Sequence, residues 1–309
     1  MDYRSLGRSG LRVSTLSLGC NRIGESREPD SHWINLLQRA ADLGVTLLDT
    51  AETYAKGRSE ELIGQALAGR TDIAVATKCA GWAPGKDPGI KDFSPDGMVL
   101  SAETSLRKLR RDCIDVFQLH SPSLAALQKL DWADGFHRLK AAGKIRFMAV
   151  SLDRVPDGIW LLKNFRVDAF QLIYNLLYPE AAETLLPRCQ QAGVGVLVRM
   201  PFHRGILTGK FRPGTPVPAD NRASLERDRL APLIARAEAF RGLAAGRRGG
   251  MASLAAHYSL AHPAVSCLIP GARSLAQLEE NVGYGEEPPL TAEEAAAIRQ
   301  LQADPLHRS

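Results

Sequence analysis

Cysteines are few in this 309-residue sequence, and none of them has a near neighbour of its own kind. The five are odd in number and form no C-x-x-C motif: Cys20, Cys79, Cys113, Cys189 and Cys267. Disulfide frameworks and zinc clusters usually show even numbers or close pairs of cysteines. The pattern therefore predicts reduced thiols in a cytoplasmic protein, with no disulfide framework and no metal site.

Long hydrophobic runs are also absent. No stretch of about eighteen apolar residues occurs, and the opening Met-Asp-Tyr-Arg-Ser lacks the apolar core of a signal peptide. The formal net charge is +5, but lysines and arginines are scattered among acids and form no stripe with interleaved aromatic residues. These absences predict a soluble protein with no membrane partner and no nucleic-acid partner, and they leave open a local basic site for a phosphate-bearing small ligand.

The sequence does contain a regular series of strand-like segments. Residues 3–13 predict a small hairpin, because the turn-rich residues Gly7 to Gly10 separate two short extended pieces. Eight short apolar runs that are typical of buried strands follow: Thr15–Leu18, Val45–Leu48, Ile73–Ala76, Ile114–Leu119, Ile145–Val150, Ala169–Ile173, Gly195–Val198 and Val265–Ile269.

Helix signals lie between these strands. Ser94 precedes a proline, which is the order expected of an N-cap and the first helical position. Ser274 with Gln277, and Thr291 with Glu294, have the spacing of capping boxes, and the second pair predicts a C-terminal helix. Strands and helices therefore alternate along the chain.

A third absence helps to choose between two α/β architectures. A doubly wound sheet that binds a dinucleotide normally carries G-x-G-x-x-G after its first strand, and this motif does not occur here. Eight strands alternating with helices instead predict a (β/α)8 TIM barrel. We expect one domain over residues 1–309, with the N-terminal hairpin, the C-terminal helix and a long loop at about 211–230 after the seventh strand, which could be a lid over a ligand rather than a domain linker.

Ionisable side chains follow three consecutive predicted strands. Asp49 comes after the second strand, with Tyr54 in the loop beyond it, Lys78 ends the third strand and His120 ends the fourth. Each residue alone is more often structural than catalytic. Because the carboxyl ends of barrel strands converge on one face, however, we expect the set to share a cleft, which makes them candidate catalytic residues.

The chemistry of such a set can be derived from its side chains. A phenol has an ordinary pKa near 10, so it is a poor proton source at neutral pH unless the phenolate is stabilised. A lysine ammonium near Tyr54 would stabilise it, and a carboxylate behind the lysine would keep the lysine charged. A neutral histidine would hydrogen-bond a carbonyl oxygen. The composite would protonate that oxygen as negative charge develops on it.

These residues occur in blocks that resemble the aldo-keto reductase family. The block that carries Asp49 and Tyr54 and its spacing to Lys78 and His120 are the most specific part, and the similarity covers nearly the whole chain. The similar segments are Leu6 to Ser14, Gly44 to Tyr54, Gly57 to Gly64, Ala76 to Lys78, Asp115 to His120 and Gly143 to Arg146.

The resemblance implies an activity and a role for each candidate. It implies a barrel that binds NADP(H) across its carboxyl face and transfers hydride between the nicotinamide and a small aldehyde or ketone, or the corresponding alcohol or sugar. Tyr54 would be the general acid, Lys78 and Asp49 the pair that tunes it, and His120 the group that orients the carbonyl.

The resemblance also implies a cofactor site. Pro201–Lys210 resembles the family's pyrophosphate-covering loop, and the segment around Arg273 resembles its adenosine-phosphate site. A helix N-terminus beside a guanidinium suits a 2′-phosphate, which favours NADP(H) over NAD(H). The residues expected to bind the cofactor are Ser151, Gln171, Arg199, Pro201, Gly205, Leu207, Lys210, Gly271, Arg273, Gln277, Glu280 and Asn281.

The sequence departs from the family pattern at several positions. Leu152 stands where many members have asparagine, and Arg199 stands where an aromatic residue commonly stacks on the nicotinamide. A guanidinium plane can also stack. Cys20 and Asn21 differ from the residues that the first strand often presents, and Trp82 is a candidate wall of the substrate site or a core residue.

Two other functions remain as alternatives. The chain could be a cofactor-binding regulatory subunit that acts as a redox sensor with little turnover, as some members of the family are attached to membrane channels. It could also be a barrel isomerase or lyase that uses the Lys78 amine to form a Schiff base. For the oxidoreductase we expect a small-molecule carbonyl substrate and a monomer or small homo-oligomer.

Overall fold

The structure, a computed structural model, describes residues 1–80, 91–214 and 227–304. Trp82 and most of the predicted lid lie outside the described residues. A helix begins at Arg227, within the last residues of the span expected for the loop. That helix contains Pro232 beyond its first turn, where proline usually interrupts a helix, so the local composition favoured a loop.

An antiparallel hairpin covers the amino-terminal end of the barrel. Its strands are β1 (Tyr3–Ser5) and β2 (Arg12–Ser14), as the sequence predicted. Leu6 and Val13 are fully buried and pack with the apolar side chains of the barrel interior. A Cβ on Gly195 would lie 2.6 Å from Leu6 Cδ1, so the close approach of hairpin and barrel requires glycine there.

The predicted eight-stranded parallel barrel is confirmed. Each strand pairs in parallel with the next one along the chain, and the bridges Leu16 to Leu268 and Gly19 to Gly271 join the first strand to the last. The strands are β3 (Leu18–Gly19), β4 (Leu47–Asp49), β5 (Ala74–Cys79), β6 (Ile114–His120), β7 (Ile145–Ser151), β8 (Ala169–Ile173), β9 (Gly195–Arg199) and β10 (Val265–Leu268).

Helices of the described part surround the strands. They are α1 (Asp30–Asp42), α2 (Arg58–Ala66), α3 (Pro95–Leu109), α4 (Leu124–Lys129), α5 (Trp132–Ala141), α6 (Val155–Asn164), α7 (Leu185–Ala192), α8 (Arg227–Glu238), α9 (Gly250–Leu260), α10 (Leu275–Gly283) and α11 (Ala292–Ala303). Ser94 caps α3 by accepting a hydrogen bond from the Gly97 amide. Thr291 and Glu294 form the predicted capping box of α11.

Small and branched apolar side chains fill the barrel interior. They are Leu47, Ala74, Ala76, Val116, Ala149, Ala169, Leu197, Cys267 and Ile269. The barrel is therefore a packed core and not a channel. Polar side chains on the strands gather beyond this layer, at the carboxyl end.

Candidate active site

Strand register brings the polar strand ends into one layer. Asp49 of β4 pairs with Ala76 of β5, and two residues further along β5 Lys78 pairs with Gln118 of β6. His120, the last residue of β6, lies two residues beyond Gln118 on the same side of that strand. The side chains that the sequence analysis grouped therefore point into a common space.

Lys78 lies at the centre of the group. It is fully buried, and its Nζ donates hydrogen bonds to Asp49 Oδ2 at 2.7 Å, to the Thr50 carbonyl oxygen at 2.7 Å and to the Tyr54 hydroxyl at 3.3 Å. Burial opposes the charged form, but the charge and hydrogen bonds of Asp49 and Tyr54 outweigh it, so the pKa of Lys78 is raised. The surroundings of Lys78 therefore favour the charged ammonium, whereas a Schiff base forms from the neutral amine.

Both carboxylate oxygens of Asp49 accept hydrogen bonds from buried donors. Oδ2 accepts from Lys78, while Oδ1 accepts from Gln118 Nε2 at 3.0 Å and from Gln171 Nε2 at 2.7 Å. These three contacts fix the orientation of the carboxylate. The sequence analysis missed Gln118, although a glutamine in an apolar strand two residues before His120 would have been a signal.

Tyr54 and His120 contact each other above the Lys78 ammonium. Tyr54 begins a short 3-10 helix whose next two residues, Ala55 and Lys56, have φ values of 47° and 57°. The rings of Tyr54 and His120 meet edge to face with their centroids 5.9 Å apart. This turn directs the phenol toward Lys78 and leaves its ring only partly buried.

The surroundings of His120 favour its neutral form. Burial is the main cause, and the nearby charges of Lys78, Lys91 and Arg199 act in the same direction, so that the pKa of His120 falls from 6.5 to about 3. A neutral imidazole can still hydrogen-bond to a carbonyl oxygen. It carries no charge that would compete with the Lys78 ammonium for Asp49.

The depressed pKa of His120 predicts a pH dependence of stability. The unfolded chain takes up a proton at this residue as pH falls through about 6.5, while the folded chain takes it up only near 3. Stability should therefore decline as pH falls between those values, and less steeply for His120→Asn. Chemical denaturation of both proteins from pH 7 to pH 4 tests this, and parallel curves would contradict it.

A groove of about 580 Å³ opens over Asp49 and Tyr54. Ten of the twelve predicted cofactor residues line it: Gln171, Arg199, Pro201, Gly205, Lys210, Gly271, Arg273, Gln277, Glu280 and Asn281. The other two, Ser151 and Leu207, are 1% and 0% exposed. Side chains that the sequence analysis did not select as cofactor contacts also line the groove: Asn21, Arg22, Met200, Phe202, Arg204, Thr208, Ile269, Pro270 and Tyr284.

One end of the groove is formed by the N-terminus of α10. Ser274 caps this helix by accepting a hydrogen bond from the Gln277 amide at 3.2 Å. The predicted capping box is only half formed, because the Gln277 side chain accepts from the Arg273 amide and not from that of Ser274. Asn281 Nδ2 donates to the Gly271 carbonyl oxygen at 3.2 Å. A guanidinium beside a helix N-terminus is suited to a phosphate.

The segment 201–210 forms a long wall of the groove. The backbone around its start is left-handed at Met200 (φ 54°), His203 (φ 40°) and Arg204 (φ 56°), a conformation that side chains rarely adopt. Asn175 Nδ2 donates to the Met200 carbonyl oxygen at 3.0 Å and helps to hold it. Such strained backbone persists where the surrounding structure determines it, which is common at ligand sites.

Of the positions that depart from the family pattern, Arg199 and Asn21 line the groove, whereas Cys20 does not. The Arg199 guanidinium lines the groove and donates from Nη2 to Asp153 Oδ1 at 2.7 Å and to the Leu152 carbonyl oxygen at 3.2 Å. Cys20 is fully buried, so only Asn21 of that pair lines the groove.

The sequence predicts neither a metal site nor a membrane partner. Within residues 1–80, 91–214 and 227–304, no three His, Cys, Asp or Glu side chains are grouped so that they could hold a metal ion. The helices of those ranges are too short or too polar to cross a membrane. All five cysteines are free thiols.

Comparisons with known proteins agree with this geometry. The model of the aldo/keto reductase family matches residues 15–303. The aldo-keto reductase AKR11C1 from Bacillus halodurans, in its holo form, is 31% identical, with a TM-score of 0.84 and coverage of 100% of both chains. The glycerol dehydrogenase AKR11B4 from Gluconobacter oxydans is 27% identical, with a TM-score of 0.83 and coverage of 98% of this chain and 95% of that one.

A further relative is named for a different role. A probable voltage-gated potassium channel subunit beta from Oryza sativa subsp. japonica is 31% identical over 316 residues, which cover 95% of this chain and 94% of the relative. The family model, the fold and the site geometry all support membership of the same family. The chain belongs to the aldo/keto reductase family and is an oxidoreductase.

Proposed function

We propose that the protein is an NADP(H)-dependent oxidoreductase that interconverts a small aldehyde or ketone and its alcohol, with Tyr54 as the general acid. The observation that carries the proposal is the contact series from Asp49 through the Lys78 ammonium to the Tyr54 hydroxyl, at 2.7 Å and 3.3 Å. It ends at a half-buried phenol on the wall of the groove. This arrangement can deliver a proton to an oxygen bound there.

Each residue has one role in carbonyl reduction. His120 hydrogen-bonds the carbonyl oxygen and Tyr54 transfers its hydroxyl proton to that oxygen as charge develops on it. The Lys78 ammonium stabilises the phenolate left behind, and Asp49 keeps the ammonium charged and oriented. When bound, the nicotinamide supplies the hydride that completes the reduction.

The groove fits an extended dinucleotide. It runs from the reaction centre at Tyr54 past the wall at 201–210 to Arg273 and the N-terminus of α10. Gln171 is proposed to hold the nicotinamide end, with Ser151 behind it, and Arg199 lies beside them at the end of β9. Lys210 and Arg273 are cations suited to the phosphates. The free thiols of the chain support the proposed cytoplasmic location.

Arg273 should decide the preference between the two nicotinamide cofactors. Arg273→Met removes a charged donor for the 2′-phosphate, and such hydrogen bonds contribute about 1.5–3 kcal/mol. We expect the Kd for NADPH to rise by about tenfold or more, while the Kd for NADH changes little. Cofactor fluorescence measures both constants, and Arg138→Met on the exposed face of α5 is the control. Equal losses for both cofactors would contradict the assignment.

The most informative experiment is a panel of carbonyls and alcohols followed by nicotinamide absorbance. It should be run with NADPH and NADH for reduction and with NADP⁺ and NAD⁺ for oxidation. Turnover of at least one carbonyl with a preference for NADPH is the expected result. Absence of turnover on the whole panel, with folded and cofactor-loaded protein, would overturn the proposal.

A second candidate is a cofactor-binding regulatory subunit that senses redox state. The observation that favours it is the 31% identity to the probable potassium channel subunit beta. Such a subunit should bind NADPH tightly and consume it slowly even at saturating aldehyde. Single-turnover measurement of the bound cofactor separates the two, because the enzyme should oxidise it within seconds of mixing with a good substrate.

A further inference from the structure

Two cations flank the strand end that carries His120. The Lys91 ammonium donates hydrogen bonds to the His120 carbonyl oxygen at 2.9 Å and to the next carbonyl oxygen at 2.7 Å. Nη2 of Arg199, at the end of β9, donates to Asp153 Oδ1 at 2.7 Å, and the charges of both cations act on His120. We call Lys91 and Arg199 the cationic rim.

The cationic rim is held in place by polar contacts. Asp153 Oδ1 accepts from the Ser121 hydroxyl at 2.9 Å as well as from Arg199. Arg199 also donates to the Leu152 carbonyl oxygen at 3.2 Å. Because Ser121 is itself linked through its carbonyl oxygen to Lys91, one network connects the two cations. A charged group fixed in this way loses little freedom on binding a ligand.

Among the described side chains of this network, the two cations are accompanied by one carboxylate, Asp153. Asp153 forms a salt bridge with Arg199, whereas the hydrogen bonds of Lys91 go to uncharged carbonyl oxygens. The field of both cations extends to the reaction centre, since Lys91 and Arg199 add to burial and to Lys78 in lowering the pKa of His120. A surface with more cations than anions attracts anionic ligands.

The rim lies apart from the predicted phosphate contacts of the cofactor. Arg273 precedes the helix α10, and Lys210 ends the wall segment. Lys91 instead binds the backbone of β6 where His120 presents its ring. Lys91 is exposed, so an anion that enters the groove from solvent can reach its ammonium.

We infer that the substrate is an anionic carbonyl compound, a carboxylate or a phosphate ester, whose anionic group binds Lys91 and Arg199 while its carbonyl oxygen meets Tyr54 and His120. The inference rests on the proposed carbonyl reduction and specifies its substrate class. An ammonium and a planar guanidinium both form charge-assisted hydrogen bonds to such anions. The departure at position 199, a cation where the family commonly has an aromatic residue, then has a function.

Matched substrate pairs test the inference. Succinic semialdehyde with butanal examines the carboxylate, and glycolaldehyde phosphate with glycolaldehyde examines the phosphate. In at least one of the two pairs, kcat/KM should be at least about tenfold higher for the anionic member than for the neutral one, and salt should reduce this ratio. Lys91→Met should lower the ratio by about tenfold and Lys91→Arg should retain most of it. Lys163→Met, on an exposed turn at the far end of α6, is the matched control and should leave the ratio unchanged.

The outcomes separate this inference from the proposed function. Reduction of the neutral members as fast as the anionic ones, or an unchanged ratio in Lys91→Met, would overturn the anionic substrate and leave carbonyl reduction standing. If no carbonyl is reduced, carbonyl reduction fails and calorimetry on the NADPH-loaded protein still decides the anion site. Succinamate should then bind more tightly than butyramide to the unsubstituted chain and lose that advantage in Lys91→Met, and equal binding would overturn the site.

Discussion

Tyr54→Phe should bind NADPH as tightly as the unsubstituted chain and lose carbonyl turnover by orders of magnitude. The substitution removes only the hydroxyl that lies 3.3 Å from Lys78 Nζ. General acid catalysis typically contributes about 10²–10⁴-fold to a rate, and no other described hydroxyl is bonded to the Lys78 ammonium. Stopped-flow and steady-state oxidation of NADPH measure the loss.

The Tyr54 variant should otherwise be intact. The phenylalanine ring keeps the edge contact with His120, and Lys78 keeps its bonds to Asp49 and Thr50. Tyr3→Phe is the matched control, because it removes a phenol on β1 that donates to the Gly44 carbonyl oxygen ahead of β4, away from the groove. Turnover of the Tyr54 variant within a few-fold of the control would exclude Tyr54 as the general acid.

Much of the architecture could be predicted from the sequence because strand positions follow short-range patterns. The eight apolar runs correspond to the eight strands, and the ends of two of them place Lys78 and His120. Parallel strands share one carboxyl end, so residues distant in sequence could be assigned to one cleft before any contact was known. The expected contact of Asp49 with Lys78 follows from neighbouring strands.

What the sequence could not provide depends on side-chain direction and on long-range contacts. In the sequence Gln118 is an ordinary strand residue, and only the structure shows that its amide donates to Asp49. The salt bridge between Arg199 and Asp153 joins residues 46 positions apart, and no short-range sequence pattern predicts it. Likewise the Gln277 side chain binds the Arg273 amide, although its spacing from the cap residue fits a capping box.

At the helix α8 the structure differs from what local composition predicts. Prolines and mixed charge favoured a loop through to residue 230, but the helix begins at Arg227 and includes Pro232. Tertiary packing stabilises it, since Leu233, Ile234 and Ala237 on one face are buried in the main core. Local helix propensity predicts a helix poorly where packing of its apolar face against the core stabilises it.

The buried pair of Asp49 and Lys78 gives the prediction with the largest expected effect on stability. Its side chains are 3% and 0% exposed and lie 2.7 Å apart. Removal of one partner from a buried ion pair typically costs about 3–5 kcal/mol, because an uncompensated charge remains. We therefore expect Lys78→Met and Asp49→Asn each to lower the free energy of unfolding by about that amount and to abolish turnover.

The double variant, Asp49→Asn with Lys78→Met, should be more stable than either single variant. The asparagine oxygen can still accept from Gln118 and Gln171, and no unpaired charge is left in the core. Turnover should remain lost, because the phenol of Tyr54 then has no ammonium beside it. Denaturation midpoints and NADPH oxidation, measured on all four proteins, complete the cycle. Strict additivity of the two losses in stability would show that the pair is not coupled. Recovery of stability without activity would mean that the chain keeps this buried pair for proton transfer and not for folding.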